Sequence, residues 1–134
     1  MADVSVTATL GTDQYKTVVK SQTGHMGIAD EPEALGGTDL GFAPDEWLAA
    51  ALASCSIITM RMYANRKAWP LERIEVQVSM ERRAQPASTH FEKTVKFTGN
   101  LTAEQQQRLL EIGNRCPVHR SFLNPITISA VLTV

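Results

Sequence analysis

The chain has only two cysteines in 134 residues, Cys55 and Cys116, and no arginine anywhere in residues 1–60. So few cysteines exclude a disulfide-dense secreted scaffold. There is no basic excess: 13 Lys and Arg stand against 14 Asp and Glu, for a formal net charge of −1. That balance excludes the electrostatic footprint of a nucleic-acid binder. The nearly uncharged run over residues 47–60 is the longest apolar stretch. It stops short of the roughly 18 residues that mark a membrane span, so no membrane association is expected. The start, Met1-Ala2-Asp3-Val4, has neither a basic n-region nor an apolar h-region, and no signal peptide is expected. No repeat and no low-complexity segment is visible. What remains is an ordinary globular composition, 43% hydrophobic and 20% charged. The length suits one domain, 1–134, expected in the cytoplasm. There a lasting structural disulfide would be unusual, whereas a transient catalytic one would not.

The first third patterns as strands. Val4, Val6, Ala8 and Leu10 alternate with polar residues, which predicts one face of a half-buried strand. Residues 15–20 and 24–30 predict two more, separated by turn-formers. A glycine-rich loop covers residues 31–43. Pro44 suits a first helical turn, and Asp45 and Glu46 complement the helix dipole there. The helix should run to about Lys67, and Pro70 blocks its continuation. Ile74, Val76, Val78 and Met80 alternate in a fourth strand; Phe91, Val95 and Phe97 mark a fifth. Thr102 and Gln105 form a capping box before a second helix. Cys116 precedes Pro117, which disfavours helical dihedrals and should end that helix. Residues 126–134 predict a last strand. The order βββ-α-ββ-α-β indicates an α+β fold with a central apolar helix packed on antiparallel sheets.

That helix is apolar on all sides over residues 47–60, so protein should surround it. A partner subunit would cover what the strands cannot, which points to a homodimer. A single strongly curved sheet wrapping the helix is the alternative.

A thiol in an apolar helix is normally inert, because burial disfavours the thiolate. Cys55 becomes reactive only beside a cation, and a redox cycle closes most simply with a second thiol. Cys116, in Asn114-Arg115-Cys116-Pro117-Val118-His119-Arg120, is the one partner available. The candidate cations are Lys16, Lys20, His25, Arg61, Arg115 and Arg120. Arg61 lies six positions along the cysteine's own helix, on a different face. Cys55, Cys116, His25 and His119 would make a Cys₂His₂ set of the kind zinc accepts. Their spacing is irregular and no metal is expected. Phe42, Trp47, Met60 and Met62 read as core side chains, some of which could line an apolar approach to the site.

The run Gly36-Gly37-Thr38 to Ala43-Pro44-Asp45-Glu46-Trp47-Leu48, continuing through Ala49-Ala50-Ala51-Leu52-Ala53-Ser54-Cys55, resembles the start of the central helix in the OsmC/Ohr family. The segment from Asn114 to Arg120 is similar to the second-cysteine motif of its OsmC-like branch. Tyr63 to Leu71 fits that branch as well. The resemblance implies an intertwined homodimer with two active sites at the subunit interface. It also implies a thiol peroxidase acting on small hydrophobic hydroperoxides, part of an oxidative stress response. Cys55 would attack the peroxide, and Cys116 would resolve the sulfenic acid to a disulfide. The family's acid falls on Glu46 or on Asp45. An external dithiol would reduce the disulfide, with no bound cofactor. The family also holds its thiolate with an arginine from the segment before the central helix, and residues 1–60 here contain none. That departure keeps a second expectation open: a non-enzymatic dimer that senses oxidant or binds a hydrophobic ligand with the same fold.

Overall fold

Three short strands open the structure, a computed structural model that describes residues 2–133. The strands β1 (Val6–Thr9), β2 (Thr17–Ser21) and β3 (Met26–Ala29) form an antiparallel meander in which β2 is central. Val6 pairs with Ser21, and Val18 with Ile28. The strand predicted around Val4 and Leu10 is shorter than expected. Its apolar face is open: Val4 and Val6 are 83% and 67% exposed.

The glycine-rich loop folds around one carboxylate. Asp30 is buried, and its oxygens accept hydrogen bonds from the backbone N–H groups of Glu31, Thr38 and Leu40 and from the Thr38 hydroxyl. Those donors hold its carboxyl below the ordinary carboxylate range, the Thr38 hydroxyl most strongly. A side chain at Gly37 would collide with the backbone of Glu31 and the Asp30 carboxylate, so only glycine fits there.

The helix α1 (Pro44–Lys67) has the predicted limits. Pro44 occupies its first turn with Asp45 and Glu46; Arg66 and Lys67 sit in the last turn, where cations suit the dipole. It stops at Ala68, which takes the left-handed conformation (φ 56). By length and composition alone, this 24-residue helix would reach across a membrane. The apolar run over 47–60 understated that length.

The chain divides into two compact units between Leu48 and Ala49. In the second unit, Leu52, Ser56, Met60 and Ala64 of α1 are buried. Their i, i+4 spacing makes one seam. The long hairpin β4 (Leu71–Ala84) and β5 (Ala87–Gly99) pairs Ile74 with Phe97, Val76 with Val95, Val78 with Lys93 and Met80 with Phe91. Met60, Ala64, Leu71 and Leu109 form the core, with Ile74, Val76, Val95 and Phe97 packed against it. The helix α2 (Ala103–Gly113) starts at the predicted capping box, with Thr102 and Gln105 exchanging both bonds. Gly113 ends it against Met60; a Cβ there would lie 2.9 Å from the Met60 sulfur.

Two expectations fail after Cys116. Pro117 does not merely end one helix. It begins another, α3 (Pro117–Leu123), with Cys116 as its N-cap. Proline is suited to that first position because its missing N–H would have no partner anyway. The last strand predicted over residues 126–134 is also not present: residues 126–133 pair with no other strand. Val134 lies outside the described residues. A strand exists only through its ladder partner, and Ile128, Val131 and Leu132 stand 90%, 89% and 96% exposed.

Candidate functional site: two cysteines and a lysine

Cys55 and Ser56 are neighbours on α1 but face differently. Ser56 lies in the buried seam and is fully buried. Cys55, about 100° further around the axis, is only half-buried. Cys116 is fully buried at the α2–α3 junction. The two thiols are close enough to act on each other's charge, and the Val118 backbone and the Thr59 side chain also act on Cys55. Burial pushes the Cys55 thiol up, Val118 and Thr59 offset only part of this, and Cys116 adds to the rise. Cys116 Sγ takes the His119 backbone N–H at 3.3 Å and lies 3.7 Å from Ser56 Oγ.

The cation of this cluster is Lys93. Its Nζ is 3.0 Å from Ser56 Oγ, 3.0 Å from His119 Nδ1 and 3.4 Å from the Gly113 carbonyl. An ammonium has three donors and no acceptor, and each donor meets one of these groups. The directions follow. Ser56 Oγ accepts from Lys93, which leaves its own hydrogen free to point at Cys116 Sγ. His119 Nδ1 accepts as well, so the imidazole is neutral with its hydrogen on Nε2. Burial first and the Lys93 charge second hold the His119 pKa below its ordinary value. Burial also lowers the Lys93 pKa, opposed by the Coulombic pull of Cys116 and Cys55.

The expected cations do other work. Arg61 Nη1 donates to the Leu71 carbonyl at 2.8 Å, tying α1 to β4. Arg115 and Arg120 are exposed. His25 is exposed in the β2–β3 turn, where its backbone N–H donates to Ser21 Oγ. Glu46 Oε1 accepts the Ala43 N–H at 2.9 Å, a bond that closes the start of α1. Asp45 lies beside it in the same first turn. Among the described residues no group of three or more His, Cys, Asp or Glu is placed to hold a metal ion. The sequence did carry a signal for Lys93. It sits in register with Phe91, Val95 and Phe97, on the apolar face of β5, where a lysine needs acceptors to be tolerated.

The OsmC-like protein family matches residues 37–131, which includes both cysteines and Lys93. The chain belongs to the OsmC-like family. Solved structures show the same fold. An OsmC-like protein from Mycoplasma pneumoniae is 19% identical, with a TM-score of 0.76 over 91% of this chain and 88% of that one. An osmotic stress induced and detoxification response protein from Psychrobacter arcticus is 23% identical, with a TM-score of 0.73 over 90% and 88%. The organic hydroperoxide resistance protein OhrB of Bacillus subtilis is 22% identical, with a TM-score of 0.61 over 90% of each chain. No curated protein matches the sequence.

Proposed function

We propose that this OsmC-like protein is a thiol-dependent peroxidase that reduces organic hydroperoxides. The observation that carries the reading is one cluster that gathers both thiols and an ammonium: Cys116 Sγ lies against Ser56, Ser56 accepts from Lys93, and Cys55 and Cys116 act on each other's charge. The Cys55 thiolate attacks the distal peroxide oxygen; the O–O bond breaks, the alcohol leaves and Cys55 becomes a sulfenic acid. Cys116 displaces water from it, and the disulfide forms. An external dithiol restores both thiols by exchange. The acid of the site would be Glu46 or Asp45, and no bound cofactor takes part. Organic hydroperoxide supplied with excess dithiol should be consumed over many turnovers. Consumption that stops at one equivalent per chain would refute the peroxidase.

That result would instead favour the sensing or ligand-binding reading. Burial raises the Cys55 pKa, and residues 1–60 offer no arginine to oppose it.

The working unit in this proposal is a cytoplasmic homodimer of single-domain chains with no membrane attachment. Support comes from apolar side chains of α1 that one chain leaves open, such as Met62 at 66% exposure, and from the open segment 126–133. A light-scattering mass of 14.7 kDa, that of one chain, would contradict it.

A further inference from the structure

The two sulfurs are not equivalent, and the difference assigns a direction to the reductive half of the cycle. Cys55 is the half-buried one and Cys116 is fully buried. An incoming thiol therefore meets Cys55 first. Donors around Cys116 point the other way, to a sulfur that receives charge. The His119 N–H donates to it, and Ser56, which accepts from Lys93, keeps its own hydroxyl hydrogen available to it at 3.7 Å. The titratable groups that face Cys116 are Cys55 on α1, Lys93 on β5 and His119 on α3. Of these only Lys93 is cationic while His119 Nδ1 accepts from it.

We propose that the external dithiol attacks Cys55 Sγ, that Cys116 leaves as the thiolate, and that Lys93 holds the departing charge through Ser56. The step rests on the dithiol cycle proposed above. One reductant thiolate forms an S–S bond to Cys55 as the Cys55–Cys116 bond breaks, and its electron pair passes to Cys116 Sγ. The second reductant thiol then displaces Cys55 from the mixed disulfide, and the reductant leaves oxidised. Exchange is faster when the leaving thiolate is stabilised. Lys93 is here a positioning residue, and Ser56 carries its effect to the sulfur.

The disulfide is best made with diamide, so that the test needs no peroxide turnover. Oxidised protein is mixed with the monothiol 2-mercaptoethanol, quenched in acid and mapped; the adduct is expected on Cys55. Reduction by dithiothreitol at pH 7 should be roughly tenfold slower in Lys93→Met. Removing the cation beside the leaving sulfur takes away stabilisation of the departing thiolate, and exchange slows as the leaving group is less stabilised. Lys93→Arg, which keeps the cation, should recover most of the loss. Ser56→Ala should be slowed as Lys93→Met is, and serves in its place if Lys93→Met fails to fold. An adduct mainly on Cys116 would overturn the proposal, as would an unchanged rate in Lys93→Met or in Ser56→Ala. Failure of diamide to crosslink the pair would overturn it too. If the disulfide reduces as described while hydroperoxide is not turned over, only the peroxidase reading falls.

Discussion

Asp30 in the glycine-rich loop is buried and Lys93 on β5 is half-buried, and the partners of the two charges differ in kind. Every donor to the Asp30 carboxylate comes from within ten residues of it: Glu31, Thr38 and Leu40. All are donors to a carboxylate, and the result is a closed local staple. Lys93 instead collects Ser56 from α1, Gly113 from the end of α2 and His119 from α3. Two of those partners also lie against a sulfur. A buried charge satisfied by its own loop shapes the backbone. A half-buried charge shared among distant elements beside a thiol alters what the thiol does.

The contrast breaks most decisively at the cysteines. Cys55→Ser should abolish hydroperoxide turnover, and Cys116→Ser should permit one oxidation and then stall, because attack and recycling use different sulfurs. Rapid mixing with excess dithiol reads both. Wild-type turnover in Cys55→Ser would remove the chemistry from this cluster. Asp30→Ala should do the opposite. It should lower Tm by roughly 4 °C or more, in the range expected when a satisfied polar network is lost from a small domain. At temperatures where the variant stays folded, turnover should be retained. Turnover lost there with Tm unchanged would make Asp30 more than a staple.

Acid should separate the two regions by a smaller effect. The folded chain disfavours the charged form of His119, so the unfolded chain takes up that proton first as pH falls. Its contribution to stability is complete above about pH 6.5 and is lost below it. Asp30 is held ionised in the fold, so its contribution is complete above about pH 3.9 and lost as pH falls through its lowered value. Thermal melts against pH should show two steps of loss. His119→Gln should remove the upper one and Asp30→Asn the lower one. A single step unaffected by either change would show that neither group carries the pH dependence.

Local signals made most of the architecture readable. Pro44 with its two acids, Pro70 beyond the end, and the Thr102–Gln105 box each act within a few residues, and α1 and α2 begin where those signals stand. The hairpin was readable from its period of two. The last strand was not, because extended backbone needs a partner that sequence alone does not supply. α3 was hidden because Pro117 reads as a breaker although it also starts a helix. In the site, the expectation that Cys55 works with Cys116 came from their paired motifs. Lys93 lies in neither motif and far from both cysteines in sequence, so no local signal joined it to them. Its marker was an interruption of the apolar face between Phe91 and Val95, which becomes meaningful only once β5 lies against Ser56 and His119.

The most direct measurement is peptide mapping after one equivalent of an organic hydroperoxide is added to the fully reduced protein. The expected result is a single crosslinked peptide pair joining Cys55 to Cys116, with the alcohol as product. Recovery of both thiols in alkylatable form, after the peroxide has been consumed or left intact, would contradict the paired-thiol chemistry.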